Sequence, residues 1–173
     1  MKVLVIVDMQ RRFKAADAVA VAAILKQIEL AKQKGWPVVV LELPEENMLR
    51  MVRTGAELCA RQLPVPRTAV AVPTTLPAIM HALAGHPHEV RNKYGSDGGL
   101  NAVYACYDRG WPLDDFRVVG VNTDCCVLAT VKGLRNCRAL ARIEVVREAC
   151  NTTSSDDVWS RFPEDVVLIP AAA

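Results

Sequence analysis

The chain has 173 residues, about one domain and enough to bury a real core. Hydrophobic residues make up 51% and charged residues 23%, the balance of an ordinary globular α/β protein. A net charge of +2, with sparse aromatics and no basic run among them, gives no footprint for nucleic acid or an acidic membrane surface.

Residues 2–7 are a run of β-branched residues and Leu, as expected of a strand buried on both faces of a parallel sheet. Asp8 stops that apolar run too early for a signal segment or a membrane span, so a cytoplasmic protein is expected. A helix over 16–34 follows, closed by Gly35, and then a second buried strand over 38–43. Such a strand–helix–strand unit has a right-handed crossover. Residues 45–62 have the pattern of a helix, and 69–72 that of a short edge strand or extended chain. A short helix over 76–84 leads to a strand over 89–92 and a Gly- and Ser-bearing turn, Lys93-Tyr94-Gly95-Ser96-Asp97-Gly98-Gly99.

A helix over 100–109 is followed by a strand over 116–121 that breaks at a tight turn into a helix over 124–136. Thr123 or Asp124 is the expected cap of that helix. A short strand over 143–146, a loop and helix over 151–161 and a last strand over 166–169 complete the chain. No linker, repeat or low-complexity segment interrupts residues 1–173, so one domain is expected. The alternation predicts a single-domain α/β fold, an open and mostly parallel sheet with helices covering it.

In such a sheet a ligand sits beyond the carboxyl ends of the strands, where strand order reverses. Asp8, Lys93 and Cys126 all fall at or just after predicted strand ends, which brings an acid, a base and a thiol to one rim. Cys126 also falls in the first turn of its helix, where free N–H groups and the helix dipole favour a thiolate. Taken singly, each has an ordinary reading as well. A cysteine at a strand–helix junction packs, a lysine is a solvated charge, and an aspartate after a first strand caps a turn or holds a metal or phosphate.

Together they have the parts of a cysteine hydrolase. Asp8 would handle the thiol proton, Lys93 would stabilise negative charge, and the N–H groups of Asn122 and Cys126 would form an oxyanion hole. The six cysteines, Cys59, Cys106, Cys125, Cys126, Cys137 and Cys150, lack C-x-x-C spacing and are expected as thiols. A vicinal Cys125–Cys126 disulfide would be strained, although the adjacent pair also admits a redox switch.

Three segments resemble the isochorismatase-like cysteine hydrolases, which include nicotinamidases and carbamoyl-amide hydrolases. They are Val5-Ile6-Val7-Asp8-Met9-Gln10, Lys93 with Tyr94 and Ser96, and Gly120-Val121-Asn122-Thr123-Asp124-Cys125-Cys126-Val127. Val145-Val146-Arg147-Glu148-Ala149-Cys150 matches the late strand and turn of that family. The resemblance implies a six-stranded parallel sheet with helices on both faces and a catalytic triad of Asp8, Lys93 and Cys126. It also implies a cis peptide between Val121 and Asn122, and a homo-oligomer, dimer or larger.

Two departures stand out. Nicotinamidases carry an Asp-x-His arrangement after the second strand to bind a metal. Here the region reads Leu41-Glu42-Leu43-Pro44-Glu45-Glu46, so no metal and no cofactor are expected. The usual Asn-Asp after Asp-Met-Gln is replaced by Arg11-Arg12, a charge pair for either a substrate carboxylate or solvent. The expected activity is cleavage of an amide or carbamoyl C–N bond of a small molecule through a Cys126 thioester. Phe13, Tyr94 and Asn122 are the expected substrate contacts, and Trp36 is either a wall residue or core. The alternative is a catalytically idle binding or regulatory module of the same family.

Overall fold

The computed structural model describes residues 1–44, 73–93, 95–154 and 157–170. The helix expected over 45–62, the segment 69–72 and Tyr94 lie outside the described residues.

Six strands form one all-parallel sheet: β1 Val3–Val7, β2 Val38–Glu42, β3 His88–Asn92, β4 Asp115–Val121, β5 Arg142–Asn151 and β6 Val167–Ile169. Their order is β3-β2-β1-β4-β5-β6. The chain winds outward from β1 to β3, returns beside β1 as β4, and winds out the other way. The reversal lies between β1 and β4, and there the connections leave in opposite directions and open a crevice.

Among the described residues four α-helices cover the sheet: α1 Ala18–Lys34, α2 Pro77–Ala82, α3 Gly99–Arg109 and α4 Leu128–Cys137. Leu4, Ile6, Val38 and Val40 pack with Ile24, Ile28, Ile79 and Leu83 of the α1–α2 side. Val3, Val5, Val7, Val39 and Leu41 pack with Ala102, Ala105, Val131 and Leu134 of the α3–α4 side. Burial on both faces explains the uninterrupted apolar strands. Asp17 caps α1 by accepting from Ala20 N at 2.9 Å, and Gly35 closes it at φ 65°. Among the described residues no helix is long and apolar enough to cross a membrane.

Two elements differ from expectation. β5 runs to Asn151 instead of ending at Val146, because its pairing with β4 shifts register between Val118 and Gly120. The extra residues of that bulge include exposed Arg147, which breaks the apolar run without ending the strand. The helix expected over 151–161 is reduced, among the described residues, to one 3-10 turn, Trp159–Arg161.

At the amino end of the sheet, Glu144 accepts Lys2, Arg117 and Arg142, each at 2.7 Å. Trp36 belongs to this end, with Lys2 at 5.5 Å and Arg117 at 5.1 Å from its ring centre. It is part of the support under α1 and no wall of the carboxyl-end crevice.

Candidate active site

Asp8 is the first residue past β1, and its backbone is left-handed at φ 51°. An Asp tolerates that region better than most side chains do. Its N–H donates to Leu41 O at 2.9 Å and its carbonyl accepts Gln10 N at 2.7 Å, so the turn is held from both sides. Beside it, Gly120 of β4 has φ 129°, and a Cβ there would meet Val7 O at 2.2 Å. Only glycine lets β4 pass this close to the end of β1.

Lys93 follows β3, with its N–H on Glu42 O at 2.7 Å. Its side chain reaches across β2 to place Nζ 2.9 Å from Asp8 Oδ2, with neither side chain exposed. Nζ also donates to Gly95 O at 2.9 Å and to Ser96 O at 3.4 Å. The Gly- and Ser-bearing turn after Lys93 therefore works through its carbonyls, as an orienting collar for the ammonium. Gly98 leaves room for the stem, since a Cβ there would lie 2.5 Å from Leu41 Cδ1 and 3.1 Å from Lys93 Cδ.

Cys126 arrives from β4. The Val121–Asn122 peptide is cis, and the chain then makes one wide turn, Thr123–Val127, before α4 begins. The Asn122 carbonyl accepts the amides of Cys125 at 3.2 Å and Val127 at 3.0 Å, passing over the amide of Cys126 between them. Neither Thr123 nor Asp124 caps this turn. The Thr123 hydroxyl is buried with no hydrogen-bond partner, and Asp124 accepts the Thr152 hydroxyl from beyond β5. The turn is anchored by the neighbouring strand instead of by its own first residues.

The Cys126 side chain is 4% exposed and interacts with Asp8, Lys93 and Cys125. The fold thus brings Asp8, Lys93 and Cys126 into one buried cluster. Its electrostatics differ from the expectation of an easily ionised Cys126. The hydrogen bond with Cys125 and burial push the Cys126 thiol up, outweighing the attraction of Lys93. Cys125, exposed and 3.4 Å from Ser96 Oγ, is instead lowered to about 6 by its bond from Cys126, with Ser96 and Lys93 adding to it. Burial pushes the Asp8 carboxyl up against the pull of Lys93, and neither of its oxygens receives a well-aligned hydrogen bond. Burial works against the Lys93 charge, but the Asp8 carboxylate 2.9 Å away outweighs it and holds the ammonium protonated.

Two side chains given no role in the sequence analysis, Glu42 and Gln10, complete the surroundings. Glu42, 1% exposed, accepts Thr74 N at 2.8 Å, Thr75 N at 2.7 Å and Thr75 Oγ1 at 2.6 Å. Gln10 accepts Leu43 N at 3.1 Å and donates to Thr74 Oγ1. Sequence alone offers no signal for these clasps beyond a polar residue at a strand end. The Glu42 carboxylate is thereby committed to the Thr74–Thr75 segment. Among the described residues no group of three or more His, Cys, Asp or Glu is arranged for a metal ion.

Phe13 is half-buried against the α1-side core, with Arg12 5.1 Å from its ring centre. Asn122 is half-buried at the cis bond. A cleft of about 570 Å³ lies to the β5 side, lined by Thr123, Arg147, Asn151, Thr152 and Trp159, and not by Asp8, Lys93 or Cys126.

Comparison with known proteins matches this arrangement to a family. The model of the isochorismatase domain matches residues 2–160. No curated protein matches the chain significantly. Among solved structures, it is similar to an N-carbamoylsarcosine amidase from Thermoplasma acidophilum, with 19% identity, a TM-score of 0.66, and 98% and 95% of the two chains covered. A nicotinamidase from Staphylococcus aureus aligns with 14% identity, a TM-score of 0.68, and 99% and 98% coverage. The ycaC gene product of Escherichia coli, an octameric hydrolase of unknown specificity, aligns with 15% identity, a TM-score of 0.64, and 98% and 74% coverage. At these identities the likeness to each is one of fold. With residues 2–160 matched and the sheet order above, the chain belongs to the isochorismatase family and has its hydrolase fold.

Proposed function

We propose that the protein is a cysteine hydrolase that cleaves an amide or carbamoyl-type C–N bond of a small molecule. The observation that carries this reading is the meeting of Asp8, Lys93 and Cys126 in one buried cluster, with Lys93 Nζ 2.9 Å from Asp8 Oδ2. Burying an acid, a base and a thiol together without a reaction to perform is costly for stability. The amidase from Thermoplasma acidophilum and the nicotinamidase from Staphylococcus aureus, both on this fold, support the reaction class.

In this reading the Cys126 sulfur attacks the carbonyl carbon as its proton passes to Asp8, whose raised affinity for protons suits that role. Because the resting thiol is held protonated, transfer accompanies attack and no thiolate need be stored. The N–H groups of Asn122 and Cys126 bind the carbonyl oxygen as it becomes an oxyanion, and Lys93 offsets the added charge. Collapse breaks the C–N bond, and Asp8 returns its proton to the departing nitrogen. Water, deprotonated by Asp8, then attacks the thioester, releases the acid and restores the thiol.

A screen of small amides and carbamoyl compounds for amine or ammonia release tests this, with Cys126→Ala as control. Turnover that vanishes in the variant, with an acyl adduct on Cys126 by mass spectrometry, is the expected result. Absence of any Cys126-dependent turnover or adduct overturns it. The closure of the site, with Cys126 only 4% exposed, favours the idle binding module in that event. A homo-oligomer belongs to the same proposal, supported by the octameric Escherichia coli relative and tested by light scattering.

A further inference from the structure

Arg12 is set differently from the other buried or half-buried arginines of the described chain. Arg91 carries Glu89 at 2.9 Å and Asp108 at 3.0 Å, Arg117 carries Glu144 at 2.7 Å, and Arg135 carries Asp165 at 3.0 Å. Arg12 carries no carboxylate among the described residues; its Nε, like that of Arg135, is shut off from water with no acceptor, but Arg135 has Asp165 to offset its charge. A buried donor with no partner is uncommon and calls for an explanation.

The side chain is also held in place. Its Nη2 donates to Gln10 Oε1 at 3.1 Å, and Gln10 is 2% exposed and pinned by the Leu43 backbone at 3.1 Å. The guanidinium lies 5.1 Å from the Phe13 ring centre, a contact that orients its plane. Both neighbours belong to the turn that follows Asp8, and the Arg12 charge is within electrostatic reach of the Asp8 carboxyl. Arg11, by contrast, is exposed. A planar, oriented guanidinium with no carboxylate on it among the described residues is suited to receive one.

We propose that Arg12 is the anion-recognising residue of this site and that the substrate is a small amide or carbamoyl compound bearing a carboxylate. The substrate class rests on the hydrolase reading above; the anion site itself does not. Lys93 cannot fill this role, because its ammonium is occupied by Asp8, Gly95 O and Ser96 O. Arg12 offers the substrate carboxylate a charge that the reacting groups do not need.

The test compares two thiol reagents that differ only in a carboxylate, iodoacetate and iodoacetamide. Their rates at Cys126 are read by fragment mass spectrometry on wild type, Arg12→Ala, Arg12→Lys and Arg11→Ala. Wild type should favour iodoacetate relative to free cysteine, and Arg12→Ala should lower that ratio about tenfold, the scale of one charge-assisted pair. Arg12→Lys should recover part of it and Arg11→Ala none of the loss. An unchanged ratio in Arg12→Ala, or an equal fall in Arg11→Ala, overturns the proposal.

If neither reagent reaches Cys126, NMR titration with succinamate and succinamide decides. Tighter succinamate binding lost in Arg12→Ala supports the site, and equal affinities overturn it. The two readings fail separately. A ratio that depends on Arg12 without Cys126-dependent turnover sinks the hydrolase alone, whereas turnover with an unchanged ratio sinks the anion site alone.

Discussion

Lys93 Nζ stands 2.9 Å from Asp8 Oδ2, and neither side chain reaches solvent. Removing one member of such a pair strands the other charge in the interior, at about 3–5 kcal/mol. Asp8→Asn and Lys93→Met should each lower urea stability by roughly that amount. Asn is the suitable replacement because it tolerates the left-handed backbone at this position. The double variant should recover most of the loss while remaining inactive. Losses that simply add would show that the two side chains are not coupled.

The two adjacent cysteines should separate by pH. Cys125, held at about 6, is largely thiolate above that pH and protonated below it. Its alkylation by iodoacetamide should follow a midpoint near 6, with Cys126 slower across the same range. Cys125→Ser should ease ionisation of Cys126, whose chief restraint is the bond with Cys125. Peptide mass spectrometry at graded pH checks both, and preferential labelling of Cys126 in wild type would contradict them.

Gly98 and Gly95 make a matched pair for the collar around Lys93. A Cβ at Gly98 meets Leu41 Cδ1 at 2.5 Å and Lys93 Cδ at 3.1 Å, whereas one at Gly95 meets nothing within 4 Å. Gly98→Ala should cost about 1–3 kcal/mol by overpacking and reduce kcat by displacing the ammonium. Gly95→Ala should do neither to a comparable degree. Equal kcat in the two variants would remove Gly98 from the support of Lys93.

Glu144 gathers three cations at the other end of the sheet, and Lys2 and Arg117 hold its carboxyl below its ordinary value against the opposing effect of burial. A depressed carboxyl contributes stability above its unfolded value of 4.5 and loses it as pH falls through the folded one. Glu144→Gln should therefore be destabilised by about 3–5 kcal/mol near neutrality. Its Tm should approach that of wild type as pH drops below about 4. A gap that persists undiminished in acid would assign the effect to packing.

How much of this was legible from sequence divides along physical lines. β1, β2 and β4 are buried on both faces, so they stand out as apolar runs, and Asp8 stands out as the charge that ends the first of them; Lys93 follows β3, a mostly polar strand, and was marked instead by the Gly- and Ser-bearing turn after it. The end of β5 was hidden because a bulge carries exposed Arg147 while the strand continues to Asn151. Capping by Thr123 or Asp124 was the local expectation, but Thr152 from beyond β5 takes Asp124. The ionisation order of Cys125 and Cys126 depends on two adjacent sulfurs sharing a proton beside Ser96 and Lys93, a distance effect with no trace in residue spacing. The clasps of Gln10 and Glu42 on Thr74 and Thr75 were hidden for the same reason.

The junction of α3 and α4 links the two halves of the site. A Cβ at Gly99 would fall 2.4 Å from the Gly133 carbonyl carbon, and one at Gly133 would fall 2.0 Å from Asp97 Oδ1. Gly98 N donates to Thr130 Oγ1 at 3.1 Å, which ties the Lys93 turn to the helix that begins beyond Cys126. Turn and helix therefore form one packing unit, so a side chain added at Gly99 or Gly133 disturbs the supports of the Lys93 ammonium and the Cys126 sulfur together.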